Sequence, residues 1–257
     1  MKYKLLVLDV DGTLLNDERE ISKRTLAALL KVQQMGVRIV LASGRPTYGL
    51  MPLAKTLELG NYGGFVLSYN GCQIIKAQNG EILFERRINP EMLPYLEKKA
   101  RKNGFAIFTY HDDTLITDSP DNEYIKNEAL LNNLKIIRED EFSTAIDFAP
   151  CKCMLVSDKE KALIGLEQHW EKRLAGTLDA FRSGRRYGFY PGPGAAAPSP
   201  GARQSDRSPA SAALPAASPG RWSPDAGPTG PAFDPVRFPQ SAPPCACLLY
   251  TSPSPRD

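Results

Sequence analysis

A chain of 257 residues with a formal net charge of +3 has room for one or two domains with a sizeable core. The charge sits at one end: from Arg185 onward there are 7 Arg and 4 Asp, so the chain's 32 basic and 29 acidic residues leave 25 of each before that point. A neutral body gives no electrostatic case for nucleic acid or an anionic membrane as a partner. The apolar run Leu5–Leu8 ahead of Asp9 is too short for a signal peptide, and no run reaches the length of a membrane span. Five cysteines, an odd number in a chain of this length, argue against a disulfide framework. A soluble protein of the reducing cytoplasm is expected, and the sequence leaves its oligomeric state open.

The first elements alternate. Leu5–Leu8 is a continuous apolar run, the pattern of a strand buried on both faces of a parallel sheet. Ser22–Gln34 reads as a helix with Ser22 as N-cap, Leu26, Leu29, Leu30 and Val32 on its apolar side and Gly36 as its stop. Val37–Ala42 is the second strand. Pro46 opens a helix running to about Leu57, and Gly63-Gly64 leads into a third strand, Phe65–Leu67. Strand–helix alternation of this kind implies right-handed crossovers in a parallel sheet.

After Asn70 the pattern changes. Asn79-Gly80 between Gln73–Ile75 and Glu81–Phe84 is a hairpin signal. A helix over about Glu91–Lys102 precedes strands Phe105–Tyr110 and Thr114–Thr117, joined at His111-Asp112-Asp113. A helix near Glu123–Asn132, a strand Lys152–Ser157, a helix Lys159–Arg173 and a strand Thr177–Arg182 follow. Helices mixed with hairpins suggest an α+β insert rather than more of the parallel sheet. The expected division is a core over 1–84, an inserted domain over 85–184 and a tail over 185–257. That tail holds 16 of the 22 prolines and lacks Lys, Glu, Ile, Met, Asn and His, a composition that predicts disorder.

Ligands of open parallel sheets bind outside the carboxyl ends of the strands. Three predicted strands end there in polar residues: Asp9 and Asp11, Ser43-Gly44-Arg45, and Ser68-Tyr69-Asn70-Gly71. Asp9 and Asp11, two apart, can present both carboxylates to one side. Their repulsion is relieved by a cation shared with a phosphate. Asp9 can attack phosphorus as a nucleophile, and Asp11 can protonate the leaving oxygen and then activate water. Gly12 lets backbone approach the phosphoryl oxygens, Ser43 offers them a hydroxyl and an N–H, and Arg45 contacts substrate or orders the loop. Other polar residues read more simply. Asp112-Asp113 is a hairpin tip, and Asp17, Glu18 and Glu20 lie in a solvated loop. His111 and His169 lack a metal-spaced partner, and Cys245-Ala-Cys247 lacks a second ligand pair. Cys151 and Cys153 share one strand face and serve packing.

Leu8-Asp9-Val10-Asp11-Gly12-Thr13-Leu14 resembles the first motif of the haloacid-dehalogenase superfamily, and Ala42-Ser43-Gly44-Arg45-Pro46 resembles the second. With Ser68-Tyr69-Asn70-Gly71 and an insert at this point, residues 3–184 resemble the Cof-type subfamily (IIB) of sugar-phosphate phosphatases. The resemblance implies an α/β protein with a Rossmann-like core, an inserted α+β cap and one Mg²⁺. Asp9 is then nucleophile and metal ligand, and Asp11 is acid/base and metal ligand through its carbonyl. Gly12, Thr13, Ser43, Gly44, Arg45 and Asn70 bind phosphate and substrate, a small phosphorylated metabolite. The family's third motif, a Lys, and its fourth, a Gly-Asp pair, have no counterpart after Lys172, which leaves the core incomplete. With the change in composition near Gly184, this suggests a shifted reading frame and an impaired enzyme. Two rivals remain. One is a receiver-type signalling domain, which needs neither insert nor Asp-x-Asp-Gly-Thr, and the other is a non-catalytic product that binds phosphate or nothing.

Overall fold

The structure, a computed structural model, describes residues 3–157, 170, 174, 177–183 and 186–191. All of these lie in one compact unit. Outside them lie residues 192–257 of the tail expected to be disordered from 185 on, His169, Cys245, Cys247 and the predicted helix 159–173 apart from Trp170.

The first sheet has five strands in chain order: β1 (Leu5–Asp9), β2 (Arg38–Ala42), β3 (Phe65–Ser68), β4 (Gln73–Lys76) and β5 (Ile82–Glu85). The first three are parallel, with Asp9 opposite Ala42 and Ala42 opposite Leu67. The hairpin β4–β5 then adds antiparallel strands, its turn made possible by Gly80 at φ 72°. It extends the first sheet, which ends at Glu85.

Helix α1 (Lys23–Gln34) starts where Ser22 accepts the Thr25 N–H at 3.1 Å and stops before Gly36, at φ 88°. Helix α2 (Thr47–Thr56) follows Pro46. Both lie on one face of the sheet, where Leu29, Leu50, Ala54 and Leu57 pack with Leu6, Leu8, Ile39, Leu41, Val66 and Ile75. The register explains the selection, since those strand residues sit opposite one another across β1 to β4. The other parity of β1 is uncovered: Leu5 and Val7 are 51% and 56% exposed. The expectation of a strand buried on both faces is therefore corrected. Among the described residues β1 is an edge strand with helices on one side only.

The second sheet runs β10-β11-β9-β6-β7-β8. Its strands are β6 (Ala106–His111), β7 (Thr114–Thr117), β8 (Lys135–Arg138), β9 (Cys153–Val156), β10 (Leu178–Ser183) and β11 (Arg186–Pro191), antiparallel except for β7 and β8. One face packs on α3 (Leu93–Asn103) and α5 (Phe142–Ala145), with Phe142 and Trp170 fully buried there. On the other face Phe108, Tyr110 and Met154 pack with Ile125 and Ala129 of α4 (Glu123–Asn132), and also with Tyr69 and Cys72 beyond β3.

Three expectations change here. The ordered body does not end at 184: β11 pairs with both β10 and β9 and carries the sheet to Pro191. Arg186-Tyr187-Gly188-Phe189-Tyr190 is rich in aromatic strand formers, which the proline count of the whole tail conceals. Second, Cys151 precedes β9 and packs with the Tyr110 face, whereas Cys153 lies in the Trp170 cluster, so the two thiols do not share a face. Third, β8 and α5 are additional elements, too short and too polar to stand out by periodicity. The hairpin reading of Asp112-Asp113 holds, with Asp112 at φ 48° and Asp113 paired to Lys135 at 2.7 Å. His111 stacks on Phe148 at 4.3 Å.

Candidate active site

The parallel register puts Asp9, Ala42 and Leu67 in one row, so the residues after them leave the sheet at one edge. After Asp9 the chain makes one wide turn closed by the Leu15 N–H on the Val10 carbonyl at 3.0 Å. Inside it Asp11 is extended and Gly12 takes φ 75°. A Cβ at Gly12 would meet nothing within 4 Å, so glycine is required there by conformation and the turn stays open above it. Gly12 and Thr13 are exposed.

The loop after β2 is tied to the loop after β3. The Ser43 N–H donates to the Leu67 carbonyl at 3.0 Å, so the expectation that it meets a phosphoryl oxygen is corrected and the hydroxyl alone is left for that; the Asn70 N–H donates to the Ser43 carbonyl at 3.1 Å and the Tyr69 N–H to the Arg45 carbonyl at 3.0 Å. A Cβ at Gly44 would have to displace the Asn70 side-chain oxygen. Tyr69, Asn70 and Gly71 are consecutive residues at positive φ (51°, 56° and 90°), a strained run of the sort that packing holds in place at ligand sites. Burial pushes the Tyr69 phenol well above its usual range, with Cys151 adding to the shift.

Arg45 joins this loop to the first. Its guanidinium donates from Nε to Asp11 Oδ2 at 2.9 Å and from Nη2 to Oδ1 at 2.5 Å, a bidentate, charge-assisted pair. The Arg45 side chain is 9% exposed and that of Asp11 53%. Arg45 also lines a cleft of about 260 Å³ with Leu15, Arg19, Gly49, Leu53 and Asn132. Of the residues predicted for the site, Asp11, Ser43, Gly44, Arg45 and Asn70 are thus in one bonded cluster, with Asp9 at the end of the adjoining strand. The pairing of Arg45 with Asp11 was not foreseen, since no local pattern links residues 34 apart.

A polar chain that the sequence did not announce runs from this edge to the segment leaving the first sheet. Thr47 Oγ1 meets Ser68 Oγ at 2.6 Å and donates to Gln73 Oε1 at 2.5 Å. Gln73 Nε2 donates to Glu85 at 2.7 Å, and Arg87 donates to Glu85 at 2.8 Å and to the Ala149 carbonyl at 3.1 Å. Lys152 was missed as well. Its ammonium donates to the Gly44 carbonyl at 3.0 Å, and the one available hint was a lone lysine heading the apolar run 153–156.

For a divalent cation the donors on offer are oxygens: the Asp9 carboxylate and the Asp11 carbonyl in its open turn. Among the described residues no group of three or more His, Cys, Asp or Glu is placed to hold a metal. Such a set suits Mg²⁺, which takes one or two carboxylates and completes its shell with water and substrate phosphate.

A family model described as haloacid dehalogenase-like hydrolase matches residues 6–189. The chain belongs to this family. The chain shares its fold with a structure described as a subclass IIB sugar phosphatase, at 18% identity and TM-score 0.57. The chain is similar to a crystal structure of a haloacid dehalogenase-like hydrolase from Bacteroides thetaiotaomicron at 41% identity and TM-score 0.70, covering 74% of this chain and 71% of that one. It is 31% identical over 137 residues to a Streptococcus pyogenes protein that carries the name phosphatase, covering 53% of this chain and 51% of the relative. It is 24% identical over 178 residues to an HMP-PP phosphatase of Yersinia pseudotuberculosis, covering 69% and 62%. The chain thus spans about half to three-fifths of the length of these two curated relatives. No helix among the described residues is long and apolar enough to cross a membrane.

Proposed function

We propose that this chain is a Mg²⁺-dependent phosphatase of small phosphorylated metabolites, sugar phosphates among them, working through a phosphorylated aspartate. The observation that carries the reading is the joining of Asp11, Ser43, Arg45 and Asn70 at the strand edge that Asp9 ends. A carboxylate nucleophile, a carboxyl acid/base and phosphate-binding donors then meet in one place, and family membership and the phosphatase names of the relatives point the same way. A receiver-type domain gains nothing from the second sheet covering Tyr69.

In the proposed reaction a carboxylate oxygen of Asp9 attacks phosphorus, and the bond from phosphorus to the ester oxygen breaks. Arg45 turns from Asp11 to the substrate as the substrate binds, and Asp11, then carrying a proton, gives it to that leaving oxygen. It next takes a proton from the water that attacks phosphorus, which frees inorganic phosphate and restores Asp9. The Ser43 hydroxyl, the Gly44 amide, and the backbone around Gly12 and Thr13 hold the phosphoryl oxygens, and Arg45 and Asn70 meet the substrate. Asp9 and the Asp11 carbonyl would hold Mg²⁺, which supplies positive charge against the phosphoryl oxygens. We assign residues 1–85 to the core and the second sheet, from about 88 to 191, to the cap that selects substrate.

Residues 1–257 hold no Lys after Lys172 and no Gly-Asp pair after it, so we expect weaker turnover than in relatives that have both. The test is p-nitrophenyl phosphate hydrolysis by this chain and by Asp9→Asn, with Mg²⁺ and with EDTA. Activity that needs both Mg²⁺ and Asp9 supports the proposal, and undiminished hydrolysis by Asp9→Asn sinks the mechanism.

A further inference from the structure

The carbonyls of Ser43 and Arg45 are held by backbone amides from the loop after β3, and the Gly44 carbonyl between them is held from the other sheet by Lys152. Lys152 is 7% exposed, and its ammonium lies 5.8 Å from the Tyr110 ring centroid and 5.5 Å from that of Tyr190. Buried ammonium is costly unless compensated, and two aromatic faces and a carbonyl dipole compensate it here. Its backbone is fixed too, since Thr109 Oγ1 donates to the Lys152 carbonyl at 2.6 Å. The residue is a rigid arm from the second sheet that ends on one peptide group of the first.

That peptide has a second end. In a trans peptide the C=O and the following N–H point in opposite directions. With the Gly44 carbonyl turned to Lys152, the Arg45 N–H faces the other way, and it donates to Ser43 Oγ at 3.2 Å. The charged donor fixes the plane of the peptide and polarises it, which strengthens the N–H at the far end. The path runs from ammonium to carbonyl to amide to hydroxyl. The Asn70 side-chain oxygen occupies the space that a Cβ on Gly44 would take.

We propose that Lys152 is a positioning residue: it sets the Gly44–Arg45 peptide, and through it the Ser43 hydroxyl, in the orientation that receives a phosphoryl oxygen. The inference rests on the reading of Ser43 as a phosphate-binding group. It makes the phosphate loop depend on the second sheet being seated, so the domain that selects substrate also completes the loop that holds the reacting group.

The test uses the full chain with Lys152→Met and Lys152→Gln. Affinity for inorganic phosphate is measured by calorimetry in the presence of Mg²⁺, and amide hydrogen exchange is followed over residues 43–45. The expected result is phosphate affinity at least tenfold weaker in Lys152→Met and less weakened in Lys152→Gln, which keeps a neutral donor. Exchange over 43–45 should be at least tenfold faster, while exchange in β2 and the melting temperature stay as in the wild type. A purely structural role would instead lower the melting temperature and speed exchange throughout both sheets. If one variant fails to fold, the other carries both measurements. Equal phosphate affinity and equal exchange in wild type and variant overturn the role of Lys152 and leave the phosphatase reading standing. A wild-type chain that neither binds phosphate nor hydrolyses p-nitrophenyl phosphate overturns that reading and takes this inference with it.

Discussion

The pair between Arg45 and Asp11 is unequal, and the inequality makes a prediction. Asp11→Asn keeps the shape and one acceptor but leaves a guanidinium with a 9% exposed side chain facing no counter-charge. A buried charged donor that loses its partner costs on the order of 1–3 kcal/mol, and the retained amide oxygen favours the lower half of that range. Arg45→Met removes the other partner, but the carboxylate left behind is 53% exposed and water solvates it. The loss there is that of a partly exposed ion pair, about 0–1 kcal/mol, because the methionine replaces the buried stem. For a body of this size roughly 1 kcal/mol moves the melting temperature by about 2–4 °C. Asp11→Asn should therefore melt about 2–8 °C below the wild type, and Arg45→Met within about 4 °C of it. The measurement is thermal denaturation by circular dichroism in EDTA, so that no cation competes for Asp11. A larger drop for Arg45→Met than for Asp11→Asn would refute the reasoning, since it would mean that the arginine, not the pair, stabilises the loop. In Mg²⁺ the same Asp11→Asn chain should lose turnover by about 10²–10⁴-fold if Asp11 is the acid/base.

Other outcomes follow from the same geometry. Asp9→Asn should abolish p-nitrophenyl phosphate turnover, and EDTA should stop the wild type until Mg²⁺ is restored. Gly44→Ala should lower kcat/KM by about a hundredfold, the scale of an ångström-sized misplacement, because the new Cβ must displace the Asn70 side chain. Comparing Gly44→Ala alone with Gly44→Ala in an Asn70→Gly background checks this, and equal loss in both would contradict it. Burial, then the Glu85 carboxylate, raises the Cys151 thiol, and burial raises that of Cys153. The folded state then holds these protons more tightly than the unfolded chain. The stability they contribute is present below about pH 8.5, the value of a free thiol, and is lost as pH rises above it. Chemical denaturation at pH 7 and pH 10 should show a smaller fall for Cys151→Ala/Cys153→Ala than for the wild type.

Much of this was legible in the sequence where local chemistry decides. Ser22, Gly36, Asn79-Gly80 and Asp112-Asp113 mark their boundaries because capping and turn geometry act within a few residues. The motif residues could be placed at one edge because a parallel sheet brings its strand ends together. What stayed hidden was non-local or short. β8 and α5 have four residues each, too few for a period to show. The exposure of Leu5 and Val7 depends on where the helices lie, which an apolar run does not encode. Lys152 meets Gly44 across 108 residues, and nothing near either position specifies the other.

The first sheet's strand order is also the order of synthesis. Each of its strands pairs with the one made just before it, so the sheet can close once Glu85 has been made, through contacts of short sequence separation that form fast. The second sheet cannot grow that way, since β9 must enter between β6 and the later β11. Chain growth thus separates the two halves in time. The strand ends that carry Asp9, Ser43 and Asn70 come together early, and the Gly44 peptide receives its lysine only after Lys152 has emerged and its sheet has assembled.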